Sequence, residues 1–199
     1  MWSDKTASEI AQDYFYGDGV RKSYKKAIPY LLTAAEEGDT HCQNLLGYCY
    51  CEGLGVERDF EDARRWYEMA AKADNVEALF GLGLIYEFGQ GVEANAKKAF
   101  QYYHRAAKLG HEWAECNVAI CYLEGLGTKR DDAVGIAWMR KAAQHGDSKA
   151  QFNLGNAYWY GDAVKTNRRN AKIWLDKAAK QGHRAAIKLL TAIENGTRT

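Results

Sequence analysis

The chain has 199 residues, 47% of them hydrophobic and 13% aromatic, which is enough to bury a sizeable core in one domain or two small ones. Its 27 Lys and Arg against 26 Asp and Glu leave a formal charge of +1, which offers no field toward nucleic acid or an anionic membrane. No apolar run reaches membrane-spanning length, and the start Met1-Trp2-Ser3-Asp4-Lys5 lacks a secretory stretch; the expected location is cytoplasmic, or periplasmic or secreted where a leader has been removed.

A short helix is expected near residues 7 to 16, closed by Gly17. From there the sequence repeats itself at a fixed period of 36, with glycines at Gly17, Gly53, Gly89, Gly125 and Gly161 and tyrosines three places earlier at Tyr14, Tyr50, Tyr86, Tyr122 and Tyr158. In the same register stand the aromatics Tyr30, Trp66, Tyr102, Trp138 and Trp174 and five Ala-Ala pairs, from Ala34-Ala35 to Ala178-Ala179. Apolar residues follow helical spacing twice per unit, as in Cys42, Leu46, Cys49, Tyr50 and then Ala63, Trp66, Tyr67, Ala70. Each unit is therefore a pair of helices, and eleven helices are expected, the last running through Leu189 and Leu190.

Punctuation supports the pairing. A Gly-x-Gly turn such as Gly53-Leu54-Gly55 ends the first helix, because glycine enters the left-handed conformation of a C-cap without a side-chain penalty. Ser23, Asp59, Asn95, Asp131 and Asn167 then stand where a side-chain oxygen can cap the second helix, and Asp39, Asn75 and Asp147 cap the first, with His111 and His183 replacing them in two copies. Pro29, the only proline, falls inside a second helix and is expected to kink or loosen it, making the N-terminal repeat the least regular. No linker interrupts the copies, so residues 1 to 199 are expected to form one array.

The unit Ala78-x-x-x-Leu82-Gly83-x-x-Tyr86-x-x-Gly89-x-Gly91-Val92, followed by Lys98-Ala99-x-x-Tyr102-Tyr103-x-x-Ala106-Ala107, resembles the Sel-1-like repeat, a relative of the tetratricopeptide repeat. The resemblance covers roughly residues 8 to 190, and the departures from it are Ala163 for the second loop glycine, Thr128 for valine, Gly135 for a helix alanine and Ala119 for the first-helix glycine. It implies an all-α fold, a right-handed α/α superhelix or solenoid of about five helix pairs whose first helices line a concave groove. It also implies a non-enzymatic scaffold or adaptor that binds a protein or peptide partner there. Two alternative readings are an immunity or antitoxin partner of a bacterial toxin, and penicillin binding or hydrolysis as described for cysteine-rich relatives.

The residues themselves offer little chemistry. Ser23-Tyr24-Lys25-Lys26 fits the Ser-x-x-Lys of penicillin-recognising enzymes, yet Ser23 occupies the capping column and the companion motifs are missing. The cysteine that the penicillin-binding relatives carry in the second helix is replaced here by Ala35 and its equivalents. Five cysteines, Cys42, Cys49, Cys51, Cys116 and Cys121, form no even framework and read as reduced thiols. The five histidines lack metal-ligand spacing, so no metal and no cofactor are expected.

The first helices offer more. With positions 42, 46, 47, 49 and 50 defining the buried arc, columns 41, 44, 45, 48 and 52 fall on the other side. The partner-binding residues expected there are His41, Tyr48 and Glu52; Phe80, Leu84 and Phe88; Trp113 and Ile120; and Phe152, Asn156 and Tyr160. Leu45 shares these columns, although 44 and 45 are also the columns suited to packing between successive first helices. Aromatic anchors interleaved with amides and charges suit a protein-binding surface.

Overall fold

Residues 4–195 are described in the computed structural model of the chain; Met1, Trp2 and Ser3, read above for a leader, lie outside them. The described residues form eleven α-helices and one π turn, with no strand among them. In order they are α1 (Ala7–Gln12), the π turn (Asp13–Gly17), α2 (Tyr24–Glu36), α3 (Thr40–Glu52), α4 (Phe60–Lys72), α5 (Val76–Phe88), α6 (Ala96–Lys108), α7 (Glu112–Glu124), α8 (Asp132–His145), α9 (Ser148–Tyr160), α10 (Arg168–Lys180) and α11 (Arg184–Glu194). The odd-numbered helices are the first helices of the repeats and the even-numbered ones the second.

The period is written into the backbone. In all five copies the capping residue of the second helix donates its N–H to the carbonyl of the periodic tyrosine: Ser23 to Tyr14, Asp59 to Tyr50, Asn95 to Tyr86, Asp131 to Tyr122 and Asn167 to Tyr158, at 2.8–3.0 Å. The return turn is closed in the same way, from Asp39, Asn75, His111, Asp147 and His183 to Ala34, Ala70, Ala106, Ala142 and Ala178. Side chains complete the caps, and the two histidines take part: Nδ1 of His111 accepts from Ala114 N at 3.1 Å and Nδ1 of His183 from Ala186 N at 3.3 Å. An unprotonated imidazole nitrogen reaches as far as an Asp or Asn oxygen, so these copies lose no cap.

Contacts divide the chain into two compact units, Met1–Tyr102 and Tyr103–Thr199. In the first, each helix from α1 to α5 packs on the next and α3 also meets α5. Its core holds Phe15, Leu31, Leu46, Cys42 and Cys49. Tyr67 of α4 lies between two glycines: an added Cβ would come within 2.5 Å of its ring at Gly47 of α3 and within 2.8 Å at Gly81 of α5. Glycine there lets an aromatic ring fill the space that two side chains would take. In the second unit the core runs through Cys116, Ile136, Met139 and Leu154, then Leu175 and Ala186. Gly155 admits Leu175, and Gly135, the departure noted in the sequence, admits Leu123.

The irregularity of the first repeat lies elsewhere than Pro29 suggests. Helix α2 runs unbroken through the proline, because Lys25, whose carbonyl loses its donor, is exposed and water can take its place. The irregular element is the π turn, where Asp18 N donates to Asp13 O. Asp13 is a charge in a column that elsewhere reads Cys49, Ile85, Cys121 and Ala157, and it is buried against the ammonium of Lys5.

The Gly-x-Gly loops do more than turn the chain. A Cβ at Gly55 would meet the α2 backbone at Tyr24 and Lys25 within 2.6 Å, and one at Gly91 would meet Phe60 Cβ at 2.7 Å. The second glycine thus lets each loop rest on the N-terminus of the preceding second helix, at φ +76° and +66°. Ala163 holds the same left-handed conformation at φ +57°, and Asp74 at φ +58° stands where the other return turns have Gly38, Gly110, Gly146 and Gly182.

Candidate protein-interaction face

Each first helix turns one stripe into the core and leaves the opposite one outward. At 3.6 residues per turn His41, Tyr48 and Glu52 of α3 fall within about 40° of one another, as do Glu77, Leu84 and Phe88 of α5. Helices α3 and α5 touch, so the first unit carries these two stripes on neighbouring helices.

Exposure separates the expected residues into two groups. Phe88 is 65% exposed and Tyr48 44%, and His41 and Glu52 are also exposed. In the second unit Trp113 is 61% exposed and Tyr160 50%. Phe80, Leu84, Ile120, Phe152 and Asn156 are half-buried. Ile120 packs on the α7–α9 core, and Phe152 stacks on the His183 ring at 4.7 Å. Leu45, which the helical arc puts outward, is buried in the first core instead. From α3 to α9 columns 41 and 52 are exposed in every copy, whereas columns 44, 45 and 48 are half-buried or buried with Tyr48 as the exception.

Tyr16 escaped the sequence reading. It belongs to the same 36-residue column as Glu52, Phe88, Glu124 and Tyr160, and that column is exposed in every copy. The π turn brings its hydroxyl 3.4 Å from His41 Nε2, with the Phe15 ring edge-on at 4.9 Å and Phe15 in turn 6.5 Å from Tyr48. Tyr16, His41 and Tyr48 are thus neighbours at the N-terminal end of the face.

The first helices up to α7 carry no Lys or Arg, which the total of +1 conceals. In α1, the π turn, α3 and α5 there are five carboxylates, Glu9, Asp13, Glu52, Glu77 and Glu87, and no Lys or Arg. Glu9 is used by the capping box with Thr6, which holds its carboxyl below the usual range, and Asp13 by Lys5. Helix α7 continues the pattern with Glu112, Glu115 and Glu124, whereas α9 has Lys149 as its sole charge. Cations lie mainly in the second helices, above all α6 with Lys97, Lys98, Arg105 and Lys108 and no acid, and also in α11 with Arg184 and Lys188.

Glu115 is the buried member. In two other copies its column holds Gln43 and Gln151, whose amides donate to the carbonyls of Ala35 and Ala143 at 2.9 and 3.1 Å, and in a third the apolar Leu79. A carboxylate has no such donor. Glu115, wholly buried, is met instead by two side chains of α8, the ammonium of Lys141 and the ring Nδ1 of His145, each at 2.9 Å. The Lys141 contact is an ion pair outside hydrogen-bond angles, which leaves Oε1 without a hydrogen bond.

Nothing here assembles into a reaction centre. Ser23 Oγ accepts from Lys26 N at 3.4 Å, as a cap. None of the five cysteines is in a disulfide, and burial pushes the thiols of Cys42 and Cys51 up to about 11 and those of Cys49 and Cys116 up to about 12, so these four are protonated and unreactive at neutral pH. Among the described residues no group of three His, Cys, Asp or Glu could hold a metal ion, and no helix is long and apolar enough to cross a membrane.

Five segments, residues 8–39, 40–75, 76–111, 114–147 and 148–183, match the Sel1 repeat. The chain belongs to the Sel1 repeat family. Sel1 repeats are generally protein-interaction scaffolds without catalytic function. Among solved structures the chain is 30% identical to c5321, a protective antigen of uropathogenic Escherichia coli displaying an SLR fold, with a TM-score of 0.87 over 96% of this chain and 41% of that one. It therefore spans less than half the length of that relative. A Sel1 repeat protein from Oxalobacter formigenes is 31% identical, with a TM-score of 0.87 over 94% of this chain and 74% of that one. The immunity protein Pa5087 from Pseudomonas aeruginosa, 22% identical with a TM-score of 0.56 over 90% of this chain and 67% of that one, shares the fold. No curated protein matches the sequence.

Proposed function

We propose that this Sel1 repeat chain is a non-enzymatic docking module that holds a protein or peptide partner along the outward stripes of its first helices. The observation that carries this reading is the exposure of large aromatic side chains there, Phe88 and Trp113 above all, at 65% and 61%. A face that had only to meet water would not keep bulky apolar groups uncovered in column after column, whereas rigid aromatic anchors are what protein interfaces use. In the first unit His41, Tyr48 and Glu52 accompany Phe88 with polar groups that fix register, beside the half-buried Phe80 and Leu84; in the second Tyr160 accompanies Trp113, with Ile120, Phe152 and Asn156 half-buried. The test compares capture of partners by the intact chain with capture by Phe88→Ala, Trp113→Ala and the second-helix control Lys98→Ala. A partner lost with the two aromatics and kept by the control supports the reading, and a partner kept by all three variants removes it.

A narrower version, in which the partner is a toxin, takes its support from the fold shared with the immunity protein Pa5087. Rescue of growth on co-expression with a neighbouring toxin would test it. The capping role of Ser23 argues against penicillin chemistry, and labelled penicillin should leave the chain unmodified. A reducing, cytoplasmic setting is supported by five cysteines that are mostly buried and form no disulfide.

A further inference from the structure

We infer that the first-unit face, formed by Tyr16, His41, Tyr48, Glu52, Glu77 and Phe88, selects a cationic segment of its partner, one in which Lys or Arg alternates with apolar side chains. This deepens the docking reading above and rests on it. A surface helix in a chain with 27 basic and 26 acidic residues ordinarily carries both signs. Yet α1, the π turn, α3 and α5 hold no Lys or Arg at all, and the basic residues of the first unit lie in the second helices, the loops and the lead-in to α1. Lys5, the one cation of the lead-in, is taken up by Asp13.

Two of the acids sit where helix stability gives no reason for them, whereas Glu77 lies in the first turn of α5, the end that favours a carboxylate. Glu52 is the last residue of α3 and Glu87 the penultimate residue of α5, and neither helix has a basic residue in its last turn. Carboxylates at that end add to the negative pole of the helix instead of offsetting it, a small cost repeated in successive copies. Glu52 stands in the exposed column between Tyr16 and Phe88, one repeat from each, so aromatic, carboxylate and aromatic alternate along the face. A segment with apolar residues spaced for the rings and a cation for the carboxylate between them satisfies both. Guanidinium and ammonium groups gain as well from the faces of exposed aromatic rings. An acidic segment would meet like charge at Glu52 with no Lys or Arg on these helices to receive it.

The experiment selects binders from a displayed library of random 12-residue peptides against the full chain and measures the recovered peptides by fluorescence anisotropy. Three variants are compared with the parent: the double substitution Glu52→Gln with Glu77→Gln, Phe88→Ala, and Glu61→Gln on α4 as a charge control. The expected peptides carry net positive charge and apolar residues, bind at least about fivefold more weakly to the double glutamine variant, and weaken as salt is raised. The Glu61→Gln variant should bind as the parent does. Neutral or acidic peptides, or unchanged binding to the double variant, overturn the charge inference while a loss with Phe88→Ala keeps the docking face. A library that yields no binder, or binders indifferent to all three variants, overturns both.

Discussion

The inward and outward columns of the same first helices differ in how strictly they repeat. Inward, column 46 reads Ile10, Leu46, Leu82, Val118, Leu154, Leu190, and column 42 onward reads Cys42, Ala78, Ala114, Ala150, Ala186. Outward, column 41 reads Lys5, His41, Glu77, Trp113, Lys149, Ala185, with no two neighbours alike. Packing one helix pair on the next poses the same volume problem in every copy, so the inward answer recurs. The outward columns face no recurring neighbour, and what they hold differs from repeat to repeat as a surface fitted to something irregular would.

Breaking the inward side should cost most. Leu82 is fully buried in α5, and Leu82→Ala should lower stability by about 3 kcal/mol through lost contacts and the cavity left behind, read from denaturant unfolding. A change below 1 kcal/mol, on the same order-of-magnitude scale, would mean the inward assignment is wrong. The loop glycines belong to the same recurring set. Gly91→Val combines a left-handed backbone with a Cβ 2.7 Å from Phe60, and should cost about 3 kcal/mol, more than the turn penalty alone. An unchanged melting temperature would show that the loop does not rest on α4.

The outward side should show the reverse pattern. Phe88→Ala and Trp113→Ala should leave unfolding within about 0.5 kcal/mol of the parent while weakening a partner by about 2 kcal/mol, a thirtyfold loss. If these variants unfold, the aromatics are core and the comparison collapses. Smaller still, Ala163→Gly should raise stability by about 0.5 kcal/mol, because the alanine holds φ +57° where the other copies have glycine. A loss of stability there would mean that the methyl's packing on the α8–α9 core outweighs its strain. The cysteines should change nothing at neutral pH: with thiols pushed up to about 11 or 12, native alkylation should be slow and rise with pH toward those values. Denaturation without reductant should expose five thiols, and three or fewer would reveal a disulfide.

Much of this was legible before any coordinates. Period, helix pairing, caps and loop glycines were readable because each depends on residues close in sequence: Asp59 reaches Asp62 N, and Gly53 only has to turn its own backbone. Where a residue's role depended on a neighbour far along the chain, the reading failed or stopped short. Leu45 looked outward until α3 met its neighbours, and Pro29 looked disruptive until Lys25 proved to face water. Phe152 was legible as an aromatic in the right column, but not as the stacking partner of His183. Tyr16 was missed although its column was visible, because the expected helix stopped there.

By itself the sequence determined that this is a Sel1 repeat solenoid, because a strict period of 36 with fixed glycines, tyrosines and alanines admits one local solution that each copy repeats. The tertiary structure alone decided which side chains of the first helices remain uncovered, how Glu115 is held by Lys141 and His145, and that acids and aromatics share the first-unit face. Burial and ion pairing are set by which helices touch, and contacts between residues some 30 positions apart leave no local mark in the chain.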